Sequence, residues 1–207
     1  MNIQKSSSVL SFKKSLQATC SVITNKKEQI PCSIYKLEPV KDRKYFSQIR
    51  NKNDWKGSQN FDVVAMNNAF LNKNSPFSIY TMESQVGDCL GFAEVCEFDE
   101  EIDILSMESA PSLTSNKNKS KSGIKYIGEN FVTFFANLAK KNLKIAINVE
   151  ADSSSVSYYT DKCHFHNYLD NPQIEDETIK LSLPKYEFSE LFEQNKKHTK
   201  TGVQLVI

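Results

Sequence analysis

From residue 124 onward, Ile124, Ile127, Phe131, Phe134, Phe135 and Leu138 recur at three- and four-residue steps. That is the period of a helix burying one face. Lys140 and Lys141 fall in its last turn, where cations suit the helix dipole. Strand-like segments flank it, Ile102–Ser109 before and Leu143–Val149 after. A strand, a glycine turn at Gly128, a helix and a second strand demand a sheet with a helix packed over it, which limits the fold more than any other stretch. The same unit sets backbone N–H groups at a helix start, where a phosphate can sit. Gly128 taken alone is better explained as a packing glycine, and the order of elements around it favours the phosphate cradle.

The remaining chain extends this unit on both sides. Residues 1–30 are rich in Ser, Lys and Gln with weak periodicity, and read as a flexible N-terminal extension or a partner-binding arm. Residues 31–207 read as a single domain. Cys32–Leu37 alternates as a strand does. Helical patterns follow from Tyr45 towards Trp55 and over Phe61–Leu71. Phe77–Glu83 and Cys89–Phe98 are strand-like, separated by a turn at Gln85–Asp88, and Asp99-Glu100 turns the chain into Ile102–Ser109. The last two of these strands are apolar on both faces, which implies a sheet covered on each side. Ser112–Ser122 reads as a polar loop. Ser153–Lys162 reads as a short helix with Ser153 as a cap. Phe165–Leu169 and Glu177–Leu183 are strand candidates, Tyr186–Asn195 a helix, and Gly202–Ile207 a final strand.

Composition narrows the function classes. Lys and Arg number 26 against 25 Asp and Glu, a net charge of +1, so no global field favours nucleic acid or a membrane surface. Only Arg43 and Arg50 are arginines, which limits bidentate phosphate recognition by side chains. No apolar run approaches the roughly 20 residues of a membrane helix. The five cysteines are an odd number without a C-x-x-C pair, which suits a reducing cytoplasm better than a disulfide framework. His164, His166 and His198 show no metal-ligand spacing, so no metal is expected.

In order and residues the chain resembles the GNAT superfamily, the Gcn5-related N-acetyltransferases. Ser109-Ala110-Pro111 stands at the family's V-x-P strand end. Gly123-Ile124-Lys125-Tyr126-Ile127-Gly128 stands at its R/Q-x-x-G-x-G turn, with Gly123 for the Arg or Gln and Tyr126 for the first glycine. Asn148–Ser153 stands at the next strand end, and Tyr158-Tyr159 with Cys163-His164-Phe165 at F-Y…G-F. The specific match spans about 60 residues, and the order of elements extends it over most of residues 31–170.

The resemblance implies an α/β (α+β) fold with a mixed, mostly antiparallel central sheet and helices on both faces. It implies an N-acyltransferase that moves an acetyl group from acetyl-CoA, as co-substrate, to an amine. Residue by residue, it places the CoA pyrophosphate on the amides of Lys125, Tyr126, Ile127, Gly128, Glu129 and Asn130, and the pantetheine arm on Met107, Glu108 and Ser109. Tyr159 stands where the family's general acid protonates the leaving thiolate. Asn148 stands where some members carry a catalytic Glu. Candidate general bases are Glu94, a charge on an otherwise apolar strand face, and Glu108 on the thioester strand. The expected partner is an amine, small molecule or protein, with no nucleic acid and no membrane, for a cytoplasmic monomer or homodimer. A non-catalytic acyl-CoA-binding or protein-interaction module on the same fold is the alternative, favoured by the altered glycine motif.

Overall fold

A computed structural model of the protein describes residues 14–37, 55, 58, 76–110, 123–168 and 178–206. Ten strands form one sheet: β1 (Ser15–Thr24), β2 (Gln29–Lys36), β3 (Phe77–Ser84), β4 (Cys89–Glu97), β5 (Glu101–Ser109), β6 (Ile124–Lys125), β7 (Ala146–Asp152), β8 (His166–Asn167), β9 (Thr178–Pro184) and β10 (Gln204–Leu205). The helices are α1 (Ile127–Lys141), α2 (Val156–Cys163) and α3 (Phe188–Thr199). Strand order is β10-β1-β2-β3-β4-β5-β7-β9-β8, with β6 paired to β1. Every described pair is antiparallel except β5 with β7, which the crossover through α1 makes parallel.

The helix read from the periodicity begins at Ile127, and its face packs as expected: Phe131, Phe134 and Phe135 are fully buried. They meet a sheet face carrying Ala18, Val22, Ile34, Tyr80, Met82, Ala93, Val95, Ile102, Ile104, Ile147 and Val149. Tyr159 and Cys163 of α2 and Phe188 and Leu191 of α3 join this cluster, so all three described helices cover the same face. Trp55 lies on the other face, with its ring 5.4 Å from Phe92. The rest of the segments expected to be helical between Lys41 and Leu71 lies outside the described residues.

Two boundaries differ from the sequence reading. Residues 15–24, assigned to the extension, form strand β1 and pair with β2, β6 and β10. The boundary at residue 31 therefore cuts through β2, which starts at Gln29. Ala18, Cys20 and Val22 point inward at a period of two, but small side chains between Ser and Thr give a weak hydrophobic signal. Ser153 does not cap α2; the N-cap is Ser155, without a side-chain cap bond. The Asp152 carboxylate instead accepts the Ser154 hydroxyl at 2.6 Å and the Ser154 and Ser155 amides, each at 2.9 Å, and these bonds, the Ser154 hydroxyl first, hold its pKa below the usual carboxylate value.

A bulge in β5 positions the site. Opposite β4, Glu94 pairs with Ser106 but Val95 pairs with Ile104, leaving Leu105 as the extra residue. Pairing of β5 with β7 ends at the same point, at Ile104 with Val149. Beyond it β5 continues to Ser109 beside β4, while β7 continues to Asp152 beside β9. The two strands part, and one edge of Ser106–Ser109 is freed from the β7 ladder.

Candidate functional site

A cavity of about 800 Å³ opens where the strands part, a size suited to a small molecule or cofactor. Met107 and Ser109 line it from β5, Ile124 and Lys125 from β6, and Tyr126 through Glu129 from the start of α1. Ser155, Tyr158, Tyr159 and Lys162 come from α2 and its approach, and His198 from α3.

The start of α1 has the chemistry of an anion site. No side chain caps it, and its first backbone bond runs from the Asn130 amide to the Tyr126 carbonyl at 3.0 Å. The amides of Ile127, Gly128 and Glu129 precede that bond, at the positive end of the helix dipole. Gly128 has a spatial reason: a Cβ there would lie 2.4 Å from the Tyr158 hydroxyl. That hydroxyl is buried without a hydrogen-bond partner, although the Cys163 thiol lies beside it. Burial pushes the Tyr158 phenol up, and pushes the Cys163 thiol up to about 12, so both stay protonated at neutral pH. The uncapped helix start fits a phosphate group.

Tyr126 occupies the left-handed region, φ 72° and ψ 18°, which costs a residue with a Cβ about 1–2 kcal/mol. The family glycine at this position thus has a conformational reason. Here the ring stacks on His198, with centroids 4.8 Å apart and planes 16° apart. Gly123, at the Arg/Gln position, lies against the β1–β2 turn: a Cβ would lie 2.3 Å from the side-chain Nδ2 of Asn25, and the Asn25 backbone N–H donates to the Gly123 carbonyl at 2.8 Å.

Tyr159 also lines the cavity and is otherwise buried, its ring edge-on to Tyr158 at 5.2 Å and to Phe165 at 5.4 Å. Burial chiefly, then Cys163 and Asp152, raises its phenol well above the usual value. The Tyr-Tyr pair therefore divides: Tyr158 stands over Gly128, and Tyr159 packs on Phe165 at the cavity wall.

The structure does not bring every expected residue to this cavity. Asn130 spends its amide on the first helical turn, and its buried side chain donates to the Ser21 carbonyl at 2.8 Å. Glu108 points to the opposite sheet face, paired with Phe92, and accepts the Ser58 hydroxyl at 2.7 Å. The bulge sets this: Met107 and Ser109 face α1, whereas Ser106 and Glu108 face away. Glu94 lies on the same far face, opposite Ser106 and next to the bulge. Asn148 donates to Glu101 at 2.7 Å and Asp103 at 3.0 Å, away from the cavity.

Sequence reasoning missed His198, Lys162 and Ser155. The helix containing His198 was expected to end at Asn195, and nothing local to a C-terminal histidine marks a cavity built on residues 107–129. The histidines also meet carboxylates that no sequence spacing indicates. His164, Glu187 and Glu190 offer potential metal-ligand atoms within 4.8 Å of one another. Part of that group is satisfied by protein, His164 Nε2 by Gln194 at 2.7 Å and Glu187 by His166 at 3.3 Å.

No family model and no curated protein matches the sequence. Solved structures do match. A mutant form of the spermidine/spermine N-acetyltransferase SpeG from Vibrio cholerae gives a TM-score of 0.52 at 10% identity, over 77% of this chain and 96% of that one. A chimera of the same SpeG gives 0.53 at 10% identity, over 76% and 98%. A probable GNAT-family acetyltransferase from Chromobacterium violaceum gives 0.52 at 13% identity, over 76% and 85%. With its mixed sheet parted between β5 and β7 and α1 starting at the gap, the chain has the fold of the Gcn5-related N-acetyltransferases.

Proposed function

We propose that the protein is an acyl-CoA-dependent N-acyltransferase that moves an acetyl group from acetyl-CoA to an amine. The observation carrying this reading is that Tyr159, the uncapped start of α1 and the freed edge of β5 all line one cavity. The Ile127, Gly128 and Glu129 amides hold the pyrophosphate. The Met107–Ser109 edge takes the amides of the pantetheine arm as a strand would, and its backbone N–H groups steady the developing oxyanion. The co-substrate supplies an activated thioester and a thiolate leaving group. Tyr159 gives its phenolic proton to that thiolate. The amine enters from the other sheet face, where Glu94 takes its proton directly or through a water.

That face also carries Glu108, while Glu83 beside it is already paired with Lys14. Carboxylates favour a cationic acceptor, and spermidine and spermine, named for the SpeG structures, belong in any first panel. Calorimetry with acetyl-CoA and CoA tests the cofactor, and release of free CoA on the amine panel tests turnover. Binding in the micromolar range with turnover is expected. Gly128→Val, which drives a branched side chain into the Tyr158 hydroxyl, is expected to weaken binding at least tenfold. No binding at high micromolar acetyl-CoA overturns the reading. Binding without turnover would instead favour the non-catalytic module, for which Tyr126 in a glycine conformation is the specific observation.

A further inference from the structure

The cavity contains a side-chain constellation that the amide cradle does not use. Glu129 is buried, its side chain 4% exposed, one residue after Gly128. A carboxylate there would repel a phosphate at the same helix start. Both of its oxygens lie 3.0 Å from His198 Nδ1, and Oε1 also accepts Asn195 Nδ2 at 3.3 Å. Asn195 in turn donates to Asn130 Oδ1 at 2.9 Å, fixing α3 against α1.

A carboxylate only accepts, so Nδ1 carries a proton and Nε2 faces elsewhere. Nε2 has no partner among the described residues, and the ring lines the cavity under Tyr126. In the imidazolium form Nε2 is an N–H donor bearing charge. The stacked Tyr126 ring supports such a cation through its π face. The other cavity cations, Lys125 and Lys162, are exposed lysines on flexible stems, whereas His198 is held in one orientation by two groups. The Arg/Gln position holds Gly123 and offers no side chain for this work.

We propose that His198, oriented by Glu129 and covered by Tyr126, is the side-chain phosphate ligand of this cavity, binding a phosphate of acyl-CoA through Nε2–H. The proposal rests on the acyl-CoA reading above. It makes Tyr126 a functional replacement for glycine: the left-handed turn that glycine would adopt freely is retained, and the ring it adds steadies the histidine.

The test compares wild type, His198→Ala and His198→Gln by calorimetry, using acetyl-CoA and, as a probe without the pyrophosphate and nucleotide, S-acetylpantetheine. A thermal melt of each variant checks folding. Loss of one charge-assisted hydrogen bond predicts acetyl-CoA binding about 10- to 100-fold weaker in both variants, with S-acetylpantetheine binding unchanged. Nitrogen NMR on the wild type gives a readout independent of substitution. The His198 Nε2 resonance is expected to shift on adding acetyl-CoA, while those of His164 and His166, which do not line the cavity, stay put. Wild type that binds acetyl-CoA with an unmoved His198 resonance, or equal affinity in folded variants, overturns this proposal and leaves the acyltransferase reading standing. Wild type that binds no acetyl-CoA overturns both.

Discussion

Tyr159→Phe is expected to lower turnover by about 10²–10⁴-fold, the range for losing a positioned general acid, while acetyl-CoA affinity stays within about twofold. The physical basis is proton placement. A thiolate leaving in a dry cleft needs a donor that is still protonated when the C–S bond breaks. Burial, with Cys163 and Asp152 adding to it, holds the Tyr159 phenol above its ordinary value of about 10. The sign follows: raising the pH from 7 towards 9 does not ionise Tyr159, so any loss of rate in that window has another source. The phenylalanine ring keeps the contacts with Tyr158 and Phe165, so stability should barely move. Steady-state turnover, with calorimetry as control, decides the matter. A variant with full turnover removes Tyr159 from the chemistry.

Phe135→Ala is expected to destabilise the fold by about 3–5 kcal/mol, the usual cost of emptying a buried aromatic site. Phe135 is fully buried, with its ring 5.1 Å from Phe134, 5.4 Å from Tyr80 and 6.3 Å from Phe131. These contacts span α1 and β3, so the void cannot close by local collapse alone. Against a typical total of about 5–15 kcal/mol, the loss is severe. At an m-value of about 2 kcal/mol/M, the urea midpoint should fall by about 1.5–2.5 M. A fall below about 0.5 M would show that the aromatic cluster is not the mechanical centre of the domain.

What could be read from sequence was periodic and local. The spacing Ile127–Phe131–Phe134–Phe135–Leu138 announces α1 because a helix repeats its buried face. The β3–β4 and β4–β5 hairpins are marked by Gly87-Asp88 and Asp99-Glu100, whose residues suit turns. β1 was lost because Ala18 and Cys20 bury little area each, and pairing rather than hydrophobicity holds the strand. The site was legible only where it follows chain order, in Met107, Ser109, Lys125–Glu129 and Tyr159. His198 enters through the packing of α3 on α1, across 69 residues of chain from Glu129. The resemblance carried Met107, Glu108 and Ser109 over together as one strand and does not say which face each side chain takes; the bulge at Leu105, which no residue type announces, decides that Glu108 faces away.

Leu105 is half-exposed and is the one residue inside the run from Ile102 to Ser109 that the ladder with β4 leaves out. Deleting it would leave Ile104 opposite Val95 and Ser106 opposite Glu94, every remaining side chain keeping its face and its partner. What would vanish is the strand's change of course. A straightened β5 could run on beside Glu150–Asp152, closing the seam hydrogen bond by hydrogen bond. The shortened protein should therefore fold at least as firmly and hold no acyl-CoA. Capacity for a ligand, on this view, is stored as one surplus residue of chain length, and a single-codon deletion would trade it for a continuous sheet.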